Sequence, residues 1–223
     1  MRRPAHRPHP VRDLRAAASL FFAHESPRLL GLQVVIAVLG RLWLAAPPDR
    51  LEWILLAAIA LYWPIQEYAL HRWVLHARPT SVAGFTIDTI AARYHRRHHE
   101  EPWSLHFTFL PPPMVGLLIP IHVLLWRSLT PSWETALTGI AAFGGAALMY
   151  EWVHFLTHTA YRPRTRWMRD VTRRHRWHHF KHEQLWFAFV VPAVDGAFGT
   201  DADPATVTRS DGCLDLLHDE DEP

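Results

Sequence analysis

The segment LEWILLAAIALYWPIQEYAL, Leu51 to Leu70, runs without a break into HRWVLH, in which His71 and His76 bracket a short apolar stretch. An apolar run approaching the roughly 20 residues that a bilayer crossing needs is thus followed at once by imidazoles, which a lipid interior does not tolerate unpaired. Read outward from this junction, the chain is a membrane helix that delivers polar ligands at its end. Three further apolar runs accompany it: LLGLQVVIAVLGRLWLAA (Leu29 to Ala46), MVGLLIPIHVLLW (Met114 to Trp126, interrupted by Pro120) and WETALTGIAAFGGAALMY (Trp133 to Tyr150). Gly and Ala in the last allow close helix approach. Arg41, near the end of the first, is expected to snorkel to the head groups. The expected fold is therefore all-α and integral to the membrane, with four transmembrane helices arranged as two hairpins.

The 223 residues are 49% hydrophobic, with the apolar residues gathered in the middle. This divides the chain into a basic N-terminal segment (residues 1–28), a membrane domain (29–200) and an acidic tail (201–223) expected to be disordered. Arginine is biased toward alternate connections: six precede residue 29, five lie between His71 and Ser104, and seven follow Tyr150 before the tail, against Arg50 and Arg127 in the intervening turns. By the positive-inside rule both termini and the middle loop are cytoplasmic. No cleavable signal peptide is expected at the N-terminus. Membrane lipid, and not nucleic acid, is the partner this distribution indicates. The single cysteine, Cys213, excludes an intramolecular disulfide and a cysteine-based zinc site, which leaves histidine and carboxylate as metal ligands.

Ten of the 17 histidines fall in four short groups at the predicted inner boundary. They are His71 and His76; His95, His98 and His99 in YHRRHH; His154 and His158 in EWVHFLTH; and His175, His178 and His179 in RRHRWHH. Residues i, i+3 and i+4 share one face of an α-helix, so each HxxHH presents three imidazoles together. His71 and His76 diverge by about 140° on a regular helix, so they either serve different metals or straddle a helix end. Imidazole suits zinc, copper, iron or nickel, and ten rings exceed one ion's needs, so two metals are expected. Arg173, Arg174 and Arg176 are expected to help keep the adjacent imidazoles neutral, or to act as plain cytoplasmic anchors. His6, His9, His24 and His218 read as solvated and His122 as a hydrogen-bonded interior residue. His106 and His182 merely flank the groups. Trp103, Phe107, Trp177 and Trp186 read as an interfacial belt that could also line an acyl passage.

The succession HxxxxH, HxxHH, HxxxH, HxxHH resembles the fatty acid hydroxylase/sterol desaturase superfamily from about Trp63 to Thr200. YHRRHHEEPW, the FLPPP turn and HRWHHFKHEQLWFAFVVPAVDGAFGT are most similar to its fatty acid 2-hydroxylase branch. The resemblance implies four membrane helices capped by a cytosolic helical, histidine-rich domain. It also implies two iron ions, with zinc an admissible occupant, and insertion of one oxygen atom from O2 into a C–H bond of a fatty acyl or related lipid chain. The haem-binding HPGG motif of fused relatives does not occur, so electrons are expected from a separate ferredoxin or cytochrome. Glu67, four residues before His71, and Glu151, three before His154, are candidates to orient imidazoles from a second layer, or to pair with arginines. Asp195 joins them through the resemblance. The competing readings are a carotenoid or sterol hydroxylase or desaturase of the same superfamily, and a membrane metal transporter. Transporter sites lie near the bilayer midplane, whereas these histidines lie at span ends.

Overall fold

The computed structural model describes residues 7–213. Helix α1 (Leu14–Phe21) starts at Asp13, whose side chain accepts from the N–H groups of Arg15 and Ala16, and it buries Ala17 and Phe21. Helices α2 (Glu25–Trp43) and α3 (Arg50–Ala69) follow, joined by a short turn. Asp49 and Glu52 cap α3 reciprocally, satisfying donors that a helix start leaves open. Arg41 does not reach outward to the head groups: its guanidinium donates to Glu52 at 2.6 and 2.8 Å and to the Ala46 carbonyl at 2.9 Å. A guanidinium beside a buried carboxylate gains more from that bidentate pairing than from solvation.

A π-helical turn (Leu70–Leu75) extends α3, and a hairpin of β1 (Thr80–Val82) and β2 (Phe85–Ile87) follows. The turn residues Ala83 and Gly84 both have positive φ, which tight hairpin turns require. This exposed two-stranded ribbon is a local addition to a chain that is otherwise helical, as expected. Then come α4 (Ile90–Glu100), the short α5 (Leu105–Thr108), α6 (Pro112–Leu129), α7 (Trp133–Thr157), α8 (Arg166–Phe180) and the short α9 (Ala193–Ala197). Pro120 does not interrupt α6, which runs through it; membrane helices tolerate the lost hydrogen bond where neighbours support the backbone. Helix α7 extends beyond the predicted span and carries Glu151 and His154 on its last turns.

Helix α7 is the axis on which α2, α3 and α6 pack. Small residues make this possible, since an added Cβ on Gly139 would lie 2.6 Å from the Trp126 ring and one on Gly144 would lie 3.2 Å from Val34. Two buried glutamates tie the bundle at opposite ends. Glu52 holds Arg41 and the Thr138 hydroxyl, while Glu151 accepts from Ser26 Oγ at 2.7 Å and from Leu110 N at 2.9 Å. Large apolar side chains face outward, among them Leu39 and Leu42 on α2, Leu61 on α3 and Leu124 on α6. Surface of this kind marks contact with lipid. Three helical stretches among the described residues are long and apolar enough to cross a bilayer: Arg50–Leu75, Leu105–Leu129 and Trp133–Thr157. Arg28, Gln33 and Arg41 dilute the apolar character of α2.

The ends of the chain depart from expectation. Residues 201–213 pack back on the fold instead of forming a free tail: Asp201 pairs with Arg174, the Ala202 carbonyl accepts from the Trp186 ring, and Ser210 N donates to the Lys181 carbonyl. The His9 carbonyl accepts from Ala160 N, and the half-buried His24 ring lies 4.4 Å from Phe109, so neither residue is simply solvated. His6 and His218 lie outside the described residues. His122 is an interior hydrogen-bonded residue, between Gln33 and Trp126 at 2.6 Å each.

Gly139→Ala should destabilise the protein in detergent by about 1–3 kcal/mol, because overpacking against Trp126 outweighs the helix preference of alanine. Gly145→Ala, whose Cβ meets nothing, should be neutral or stabilising by up to about 1 kcal/mol. Thermal unfolding of the two variants side by side checks the difference.

Candidate metal centre

The π turn settles how His71 and His76 relate. The His76 N–H donates to the His71 carbonyl, five residues back, at 3.2 Å. That bond underwinds the helix by a residue and brings i and i+5 to one side. Their ring centroids lie 5.2 Å apart and both side chains join the same group.

All ten box histidines converge, in two groups of five. The first contains His71, His76, His95, His99 and His178; the second contains His98, His154, His158, His175 and His179, and within each group one nitrogen per ring lies within 4.8 Å of the others. The assembly is crossed. Helix α4 gives its i, i+4 pair to the first group and the intervening His98 to the second, while α8 gives its i, i+4 pair to the second and the intervening His178 to the first. Each hairpin end supplies the remaining pair. His99 and His179 stack at 4.1 Å where the groups meet.

Nitrogen spacing shows what the groups can hold. In the first, Nε2 atoms are 3.0–3.2 Å apart across His71–His95, His95–His76, His76–His178, His178–His99 and His99–His95. In the second, His98–His154, His154–His158 and His158–His175 are 3.0, 3.2 and 2.8 Å apart. Nitrogens about 2.1 Å from one ion and at right angles around it lie about 3.0 Å apart. Hydrogen bonding among the rings does not account for the arrangement. His71 and His178 donate their Nδ1–H to the carbonyls of Phe187 (2.6 Å) and Leu185 (2.8 Å), leaving each Nε2 as a bare lone pair facing other imidazole nitrogens. Both nitrogens of His179 are buried with no hydrogen-bond partner. A cation at the centre of each group would satisfy the inward-facing nitrogen of each ring, so the residues fit a pair of metal ions.

Electrostatics favour the neutral, ligand-ready form. Burial is the first cause holding His76, His95, His98, His99, His175, His178 and His179 well below the ordinary imidazole range, and repulsion among the rings adds to it. His158 is lowered to about 3, by burial and then by the Arg176 guanidinium. Arg173 and Arg174 are occupied with Asp170, and Arg174 also with Asp201, so the expected help from arginine reduces to Arg176.

The three candidate carboxylates act one step further out than expected. Among the described residues none hydrogen-bonds to an imidazole or pairs with an arginine. Glu67 accepts from the N–H groups of Phe189 (2.6 Å) and Val190 (2.8 Å), and Asp195 from those of Phe187 (2.8 Å) and Ala188 (3.1 Å). Together they grip the segment 185–190, whose carbonyls in turn orient His71 and His178. Glu151 ties α2 and the α5–α6 turn to α7, as described above. Trp186 in the gripped segment has φ of +55°, a strained conformation for a bulky residue. It is held there by its N–H to the Thr200 carbonyl and its ring N–H to Ala202. It is buried core and not part of a belt, whereas Trp103 stacks on Phe180 beside His158. The orienting carbonyls carry no side-chain signature and were not legible in the sequence. His106 and His182 stand outside both groups: His106 meets the Tyr94 hydroxyl, and His182 accepts from Gln184 N.

Two clefts reach the centre. A polar one of about 260 Å³ is lined by His76, His95, His99, Arg78, Arg96, Glu183 and Gln184. A narrow one of about 30 Å³, lined by Leu75, Phe107, Phe109, Leu110 and Tyr150, touches His95 of the first group and His154 of the second.

Asp195→Asn keeps the volume but turns an amide toward backbone donors. It should loosen the carbonyl that orients His71, weakening metal binding at the first group by about 10–100-fold and leaving the second group unchanged. Metal titration of the purified protein, read as two separate affinities, checks this.

The sequence matches the fatty acid hydroxylase family over residues 56–200. A dihydroceramide fatty acyl 2-hydroxylase of Arabidopsis thaliana is 29% identical over 63% of the chain and 57% of its own length. A fatty acid 2-hydroxylase of Macaca fascicularis is 26% identical over 70% of the chain and 41% of its own length. The chain therefore spans about half the length of these relatives. The solved structure of full-length scs7p, in which only the hydroxylase domain is visible, superimposes with a TM-score of 0.62 at 23% identity, covering 82% of this chain and 66% of that one, and so shares its fold. The four histidine boxes, their convergence into two groups and the extent of this match place the chain in the fatty acid hydroxylase family.

Proposed function

We propose that the protein is a membrane-bound, dinuclear iron hydroxylase that inserts one oxygen atom from O2 into a C–H bond of a fatty acyl chain, with the ten box histidines as its ligands. The observation that carries this reading is the meeting of lone-pair imidazoles in two adjoining groups beside an apolar cleft. When bound, the two ions supply the redox chemistry that consumes O2, two electrons and two protons, converting the C–H to C–OH and releasing one water. The electrons come from a separate carrier of ferredoxin or cytochrome type. The names of the relatives point to the 2-position of the chain.

The residues of this chain position and shelter the reacting carbon. Leu75, Phe107, Phe109, Leu110 and Tyr150 line a narrow space suited to a slim apolar chain. That space borders His95 of one group and His154 of the other, so a methylene held there would lie beside imidazoles that would hold each of the two ions. Its apolar walls keep bulk water from the reaction. The gripped segment 185–190 holds His71 and His178 against rotation.

The proposed setting is four membrane helices under a cytosolic helical cap. Helix α2, at 19 residues about 28 Å long, comes close to the thickness of a bilayer core and packs along α7 with an apolar outer face. The start of α2 and the end of α7 meet at Glu151, and the opposite ends meet at Glu52, so the four helices run between two common levels. The arginine-rich level, with the histidines, is the cytoplasmic one.

Cells expressing the intact chain under ¹⁸O2 should accumulate a hydroxylated fatty acyl lipid carrying the heavy oxygen. His178→Ala should lower that product by at least about 100-fold, since it removes a ligand outright where loss of a supporting group alone costs 10–100-fold. Lipid profiles identical for the two chains would refute the reading.

A further inference from the structure

The two groups are not equally enclosed. In the second, all five rings are buried, none more than 4% exposed, and aromatic residues wall it: Phe189 lies 4.4 Å from His175 and 5.1 Å from His154, and Trp103 lies 6.0 Å from His158. In the first, His71, His95 and His178 are buried, but His76 and His99 are only partly so, and both line the 260 Å³ polar cleft. Position along the chain does not separate the groups, since His76 and His158 each follow the end of an element and His99 and His179 each precede the last residue of a helix; enclosure does.

Ligand exchange at a metal needs a path for water or an incoming donor, and a ring able to swing away from the ion. The first group has a polar path to water through the 260 Å³ cleft, whereas the second meets only the narrow 30 Å³ cleft, through His154. We infer that the two metal sites are chemically inequivalent: the ion at the first group exchanges through the polar cleft with hydrated divalent cations, while the ion at the second is sealed in. This inference rests on the reading of the ten histidines as metal ligands. The cleft mouth, with Arg78, Glu183 and Gln184, is then the loading port of the centre.

The test is release of zinc from the dizinc protein in detergent to the chromogenic chelator 4-(2-pyridylazo)resorcinol. Two phases of equal amplitude are expected, one ion each, separated by at least about tenfold in rate, because the sealed site must wait for local opening. His99→Ala should speed or abolish the fast phase and leave the slow one; His98→Ala, its neighbour on α4, should do the converse. Should a ligand variant fail to fold, Gln184→Trp, at the cleft mouth and outside both groups, should slow the fast phase alone. Release of both ions in a single phase, an unchanged fast phase in Gln184→Trp, or loss of the slow phase in His99→Ala would overturn the inequivalence. A protein that binds no zinc at all would overturn the metal reading itself, which is a different failure, visible before any kinetics.

Discussion

Ten imidazoles facing one another nitrogen to nitrogen form an arrangement that hydrogen bonding among the rings cannot fully satisfy, because a ring such as His95 has three neighbours and one proton to give. Protonating them is opposed by burial and by their mutual repulsion. Leaving their lone pairs opposed is costly as well, since buried polar atoms without partners lose their solvation and regain nothing. A positive centre in each group would resolve both constraints. The rest of the fold can be understood as the scaffold that holds these rings at that spacing before any ion arrives. The α7 axis, the two glutamate ties and the gripped segment 185–190 all serve to make the rings meet.

The crossed assembly has a consequence for cooperation between the sites. Because His98 and His99 are adjacent on α4 but belong to different groups, as do His178 and His179 on α8, the backbone of each of these helices serves both groups. Each half of the chain, a hairpin followed by an HxxHH helix, is incomplete alone and borrows one imidazole from its counterpart. The pair of sites is therefore one structural unit, although its two halves differ in exposure.

Much of this was legible in the residues, for identifiable reasons. The length of apolar runs placed the three stretches that are long and apolar enough to cross a bilayer, and helical spacing placed the i, i+4 pairs, because both are local properties of a helix. The same locality explains what was missed. The π turn that unites His71 and His76 replaces a regular helical turn, and nothing in HRWVLH announces it. Arg41 was expected to seek the head groups because its partner Glu52 lies across a hairpin turn, not on its own helix. Pro120 was read as an interruption, since the packing that supports the backbone there is tertiary. Glu67, through its spacing from His71, and Asp195, through the resemblance, were expected to orient imidazoles or to pair with arginines; their partners are instead backbone N–H groups of the segment 187–190. The return of residues 201–213 onto the fold was masked by their acidic composition, which reads as a free tail until Arg174 and Trp186 are seen beneath it.

The most direct measurement is anomalous X-ray diffraction at the iron edge from crystals of the iron-loaded protein. The account predicts two peaks, one enclosed by His71, His76, His95, His99 and His178 and the other by His98, His154, His158, His175 and His179. A single peak, no peak, or scattering centred away from these rings would contradict it.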